Sequence, residues 1–184
     1  MIHTDFMDGE IQIFDAVFSD KEVEMIIADV HNKDYRTGER DRPGLPPAGL
    51  VCNLEGSVTE VFLKGFLDKH FKDRFTTTRS YCNLFAPNEH SYFHHDESDY
   101  TLMYYATWEW DVDHGGETKF IINTRFNKMK DIKISDASKE VPIMYSVPPI
   151  PNRLILFKGH IPHTASPLRN NQRFTAVLKL KENK

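Results

Sequence analysis

Two patterns of apolar residues divide the chain. In the first third, Val23, Ile26, Ile27 and Val30 recur at i, i+3, i+4 and i+7, which predicts a helix with one buried face. Ser19 and Glu22 stand just ahead of that run as a capping box, the serine accepting an orphan N–H and the glutamate reaching back to the cap. Phe18 and Val23 hold the staple positions. Ser57 and Glu60 repeat the signature before Val58, Val61, Phe62 and Phe66, so a second helix is expected, packing through those apolar residues. Between the two helices lies ERDRPGLPPAGL, residues 39–50, whose proline and glycine density forbids helix and favours an extended loop of the kind that covers a site.

From Thr76 onward the pattern changes to short β-rich runs separated by turn residues: TTRSYCNLF, SYFHHD, YTLMYYATW, ETKFII, RLILF and FTAVLKL. These predict an antiparallel sheet. Residues 123–150 are more polar, with Ile132, Ile134 and the run Val141 to Tyr145 as candidate short strands before a PPIP turn. Two helices followed by seven or eight strands imply a mostly β (α+β) fold. The expected core is a jelly-roll or cupin-like double-stranded β-helix, with the N-terminal helices packed on the outside. At 184 residues the chain is expected to be one domain, with a helical part over 1–75 and the β-helix core over 76–184.

Composition narrows the class. Charged residues make up 27% and aromatic ones 12%, which suits a folded, sheet-rich core and excludes dominant disorder. Lysine and arginine total 23 against 27 aspartate and glutamate, a formal charge of −4, so no basic excess advertises nucleic acid. Cys52 and Cys82 sit in no CxxC pair and read as buried thiols of a reducing compartment. The segment MIHTDFMDGE is acidic and lacks an apolar h-region, and no apolar run approaches the ~20 residues of a membrane span. A cytoplasmic protein without a membrane partner is expected.

The chemistry concentrates at Phe93-His94-His95-Asp96. In a strand, His94 and Asp96 share a face and His95 points away, so an imidazole and a carboxylate can reach one metal. A third ligand from a distant strand would complete the facial triad that suits non-haem Fe(II), and FKGHIPHTASP offers His160 and His163. Any one histidine alone is more often a core or surface residue. Tyr105, in the alternating run Thr101, Met103, Tyr105, and the pair Arg173 and Thr175 on the last strand could converge on the same face. A planar, permanently charged guanidinium suits the carboxylate of a bound acid. Gly115-Gly116 reads as a tight hairpin turn. Trp108 and Trp110 could wall a groove, although packing is the commoner role.

From about Thr78 to Leu180 the sequence resembles the Fe(II)- and 2-oxoglutarate-dependent dioxygenases, most closely their prolyl-hydroxylase-like branch. Four segments match in order: RSYCNLFAPNEHSYFHHD; YTLMYYATWEWDVDHGGETKF with Tyr105, Trp110 and the GGE-type turn; NRLILFKGHIPHTASP; and Arg173-Phe174-Thr175, ten residues after His163. The resemblance implies His94, Asp96 and His163 as iron ligands, with His163 preferred to His160 by its spacing from Phe157 and Arg173. It implies Arg173 on the distal carboxylate of 2-oxoglutarate, with Thr175 and Tyr105 as hydrogen-bonding neighbours. Asn83 falls where AlkB-like relatives carry an asparagine near the co-substrate, but the tyrosine that follows in those relatives is Phe85 here. His90 and His95 are expected to be exposed or peripheral, and His114 to belong to the turn before Gly115.

The implied cofactors are Fe(II), 2-oxoglutarate as co-substrate and O2, with ascorbate as a candidate reductant. The implied reaction is hydroxylation of an unactivated C–H bond, prolyl hydroxylase-like, on a peptide, a protein or proline. The 39–50 loop, with Tyr35 and Arg42, is a candidate lid. An AlkB-like nucleic-acid demethylase is the enzymatic alternative, disfavoured by the acidic balance. A non-catalytic jelly-roll metal-binding module is the alternative of another class. A homodimer is left open.

Overall fold

The computed structural model describes residues 1–38, 40–122 and 143–183. Ile132, Ile134 and Val141, expected within short strands, lie outside them. The first helix, α1 (Asp20–His31), begins at Ser19, where both capping-box bonds form: Ser19 Oγ accepts from the Glu22 N–H, and Glu22 accepts from the Ser19 N–H at 2.8 Å. It buries Val23, Ile26, Ile27 and Val30, the four residues its spacing predicts.

The second helix, α2 (Val58–Phe71), is capped by Ser57, but its buried face differs from the expected one. Leu63, Phe66 and Leu67 point inward, while Val58 and Val61 are 40% and 64% exposed. Glu60 does not close a capping box either, because its carboxylate takes the Gly56 N–H at 2.7 Å and the Lys64 ammonium at 2.9 Å. Thr59 and Glu60 thereby enter the buried face and turn the valines outward.

Eleven strands are described: β1 (Ile2–Phe6), β2 (Ile11–Asp15), β3 (Arg36–Thr37), β4 (Leu50–Asn53), β5 (Phe75–Phe85), β6 (Tyr100–Tyr105), β7 (Thr118–Ile121), β8 (Met144–Val147), β9 (Arg153–Lys158), β10 (His163–Ala165) and β11 (Arg173–Glu182). They form an eight-stranded sheet in the order β1-β2-β9-β6-β11-β5-β4-β3 and a three-stranded sheet in the order β10-β7-β8, with antiparallel pairing throughout. The architecture is the expected mostly β, double-stranded β-helix core with two helices on its outer face.

The part before residue 76 is not purely helical. It contributes β1 to β4 to both edges of the large sheet. SYFHHD, in turn, forms no strand. It meets β10 through an isolated bridge between His94 and His163.

Alternation along the strands sets two cores. Leu102 and Tyr104 of β6, Leu154 and Leu156 of β9, and Phe174, Ala176 and Leu178 of β11 pack against the helices. Met103, Tyr105, Ile155, Phe157 and Val177, the intervening residues, face the small sheet with Phe120 and Val147. Odd-numbered positions of β6 and β11 therefore point between the sheets, and the chemistry lies there.

Candidate metal centre

The bridge between the HxD segment and β10 brings His94, Asp96 and His163 together, with one ligand-type atom of each within 4.8 Å of the others. Both rings are oriented by backbone carbonyls. His94 Nδ1 lies 2.8 Å from Tyr92 O, and His163 Nδ1 lies 2.9 Å from Ile161 O. A carbonyl only accepts, so each Nδ1 carries a proton and each ring turns its Nε2 toward Asp96. Those Nε2 atoms stand 3.9 and 3.7 Å from the two oxygens of Asp96.

Electrostatics keep this donor set ready for a cation. Burial and the neighbouring His94 push the His163 pKa down to about 3, so the ring is neutral at physiological pH. Burial alone would raise the Asp96 carboxyl. His163, Lys179 and the Thr101 hydroxyl outweigh it and hold the group well below the usual carboxylate range.

The triad opens into a cavity of about 720 Å³. Asn83 of β5 and Thr175 of β11 line its wall and share one cross-strand row with Tyr105 of β6, because Thr175 pairs with both of the others. Arg173 is 5% exposed, with Nε donating to Gly116 O at 3.0 Å and Nη2 to Thr118 Oγ1 at 2.8 Å. Thr175 Oγ1 is buried without a hydrogen-bond partner. An unsatisfied buried hydroxyl costs about 1–3 kcal/mol, so a ligand oxygen there would be favoured. Tyr105 is not on the cavity wall. It lies beneath Arg173, its ring centroid 5.3 Å from the guanidinium carbon, and its hydroxyl bonds to Thr118 Oγ1 at 2.7 Å.

His160 is exposed and not a member of the triad; it borders a second surface depression with Lys158 and Glu182, which Asp96 also lines. His95 is exposed at the cavity mouth, and His90 is exposed against Tyr92. Gly115 and Gly116 both take positive φ, but they make no hairpin. Gly115 bridges Leu168, and the Gly116 carbonyl is the one that holds Arg173. Trp110 braces this turn, its Nε1 donating to Gly115 O at 2.8 Å, while Trp108 is exposed. Tyr35 packs on Phe174 in the helix-side core rather than over the cavity.

Three roles escaped sequence reasoning. Asp41, in the proline-rich loop, accepts the Tyr92 N–H at 2.6 Å and stands 3.6 Å from His94 Nδ1, tying that loop to the HxD segment. Thr101 donates to Asp96 Oδ2 at 2.5 Å. Lys179 forms a buried ion pair with the same oxygen. Asp41 carries no sequence signal, but Lys179 does: it shares the odd-numbered face of β11 with Arg173 and Thr175.

No protein-family description matches the chain, and no curated protein matches it in sequence. Solved structures share its fold. A prolyl hydroxylase from Trichoplax adhaerens, in complex with a hypoxia inducible factor oxygen degradation domain peptide fragment, superimposes with a TM-score of 0.72 at 15% identity, over 94% of this chain and 84% of that one. HygX from Streptomyces hygroscopicus, with nickel, 2-oxoglutarate and hygromycin B bound, gives 0.66 at 11% identity over 94% and 82%. A Pseudomonas putida prolyl-4-hydroxylase gives 0.55 at 12% identity over 95% and 94%.

Proposed function

We propose that this chain is an Fe(II)- and 2-oxoglutarate-dependent dioxygenase that hydroxylates an unactivated C–H bond of proline, in a peptide or protein or as the free residue. One observation carries the reading. A two-histidine, one-carboxylate cluster shares its cavity with a buried guanidinium and a buried hydroxyl that lacks a partner. The donor set fits iron, since two imidazoles and one carboxylate leave further positions open.

His94 Nε2, His163 Nε2 and Asp96 would hold the metal. Bound iron supplies open coordination positions and the redox chemistry that couples decarboxylation of 2-oxoglutarate to oxygen insertion. The remaining work belongs to the protein. Arg173 pairs with the distal carboxylate of 2-oxoglutarate, and the Thr175 hydroxyl donates to it, which satisfies that group. Asn83 offers an amide from the neighbouring strand. Thr118, Gly116 and the Tyr105 ring fix the guanidinium before the acid arrives, so its orientation costs little on binding. Met103, Phe157 and Val177 line the cavity with apolar surface and keep water from the reacting centre.

The proline assignment draws on structural neighbours that are prolyl hydroxylases, among them those from Trichoplax adhaerens and Pseudomonas putida. A net charge of −4 weighs against nucleic acid, and a binding module has no use for the Arg173 and Thr175 pair. The test is to incubate the protein with Fe(II), 2-oxoglutarate, ascorbate and a panel of proline-containing peptides, with free proline in parallel. Succinate and one added oxygen on proline should appear together. Succinate without an oxygenated proline would overturn the substrate, and no succinate under any condition would overturn the activity.

A further inference from the structure

Asp96 has two oxygens in unequal surroundings. Oδ2 accepts from Thr101 Oγ1 and from the Lys179 ammonium and stands 3.7 Å from His163 Nε2, whereas Oδ1 stands 3.9 Å from His94 Nε2. Lys179 is itself well held. Its side chain is 15% exposed, its ammonium donates to Thr101 Oγ1 at 3.2 Å, and Tyr81 lies against it with its ring centroid 5.9 Å away. The strand geometry aims it inward. The β11–β5 register slips between Lys179 and Leu180, so Thr78 is the extra residue on β5, and its hydroxyl holds the Lys179 carbonyl at 3.1 Å.

A buried lysine is costly to desolvate, so its retention beside the triad calls for a use. Reading an anion on the substrate does not suit it. An ammonium has three hydrogens, and Asp96, Thr101 and Tyr81 surround this one. Resting on the metal-centre reading above, we propose that Lys179 is a positioning residue that occupies Asp96 Oδ2, so that the carboxylate ligates through Oδ1 alone and the third open position of the metal is preserved. A carboxylate freed from this partner can swing to chelate with both oxygens. It would then take a position that the co-substrate or O2 requires.

The test uses full-length protein loaded with Mn(II), without turnover. Exchangeable water on the metal is counted by water-proton relaxation, and 2-oxoglutarate affinity is measured by titration. Wild type should carry three exchangeable waters, reflecting the three positions that a facial triad leaves of six. Lys179→Met should keep Mn(II) bound, lose about one water and bind 2-oxoglutarate about tenfold more weakly. Lys179→Arg, which keeps the charge and the donor, should restore both values. A merely structural lysine would move neither the water count nor its rescue by arginine.

Should Lys179→Met fail to fold, Thr101→Val removes the other donor to Oδ2 and should show the same change at smaller size. Equal water counts in wild type and the folded variants would overturn the role of Lys179 while leaving the metal centre intact. Failure of wild type to bind Mn(II) would overturn both.

Discussion

His94 and His163 exchange both backbone hydrogen bonds across an isolated bridge, at 3.0 and 2.8 Å, which sets their ring centroids 4.4 Å apart. Two residues 69 positions apart in the chain are thus pinned at the point where two imidazoles must meet. The bridge fixes the backbones, and the two Nδ1–H donors fix the rings. His94→Ala and His163→Ala should each weaken Fe(II) or Mn(II) binding by at least roughly 100-fold, while His160→Ala should leave it unchanged. Metal titration by calorimetry reads all three variants.

Arg173 should govern the co-substrate and not the metal. Losing its charge-assisted contacts in Arg173→Gln should cost about 2–3 kcal/mol of 2-oxoglutarate binding, roughly 30- to 150-fold in Kd. Mn(II) affinity should stay at the wild-type value. A parallel loss of metal binding would show that Arg173 supports the triad instead.

Gly115 has φ of +76°, and a Cβ there would fall 2.7 Å from the Pro167 carbonyl oxygen. Gly115→Ala should therefore destabilise the fold by about 1–3 kcal/mol. Because the next residue holds Arg173 through its carbonyl, 2-oxoglutarate binding should weaken as well. Chemical denaturation and ligand titration on the same sample measure the two effects.

Asp29 ties the two helices together. Its Oδ2 accepts the Thr59 N–H at 3.0 Å and the Thr59 hydroxyl at 2.6 Å, and Lys33 pairs with Oδ1 at 2.9 Å. Burial would raise this carboxyl, yet these partners prevail and hold it below its ordinary value of 3.8. A depressed pKa means the stabilisation is present above the unfolded value and fades as pH falls through the folded one. Asp29→Ala should cost about 1–3 kcal/mol near neutral pH, and the gap to wild type should close below pH ~4 as the carboxyl protonates. Urea denaturation across that range checks it.

Much of this arrangement is legible in the sequence. The Ser19 capping box and the β-rich runs of β5, β6, β9 and β11 announce themselves, because local preference and burial agree there. His94 and Asp96 are legible as an HxD pair, while the choice of His163 over His160 is what the family resemblance implies. What stays hidden depends on distant partners. β1 is mostly exposed and β2 only five residues long, and β2 is recognisable only through its pairing with β9, more than 130 residues away in sequence. The outward turn of Val58 and Val61 follows from hydrogen bonds that Asp29 and Glu60 make, which no hydrophobic period reports. Lys179 could have been found by parity, since Arg173, Thr175, Val177 and Lys179 alternate on one face of β11. Its partner Asp96 could not.

The measurement that bears most directly on the central claim is an anaerobic titration of metal-free protein with Fe(II) and 2-oxoglutarate, followed in the visible spectrum. Chelated co-substrate on iron should give a charge-transfer band that needs both additions, vanishes in His163→Ala, persists in His160→Ala and demands far more 2-oxoglutarate in Arg173→Gln. A well-folded wild-type protein that develops no such band would contradict the dioxygenase assignment.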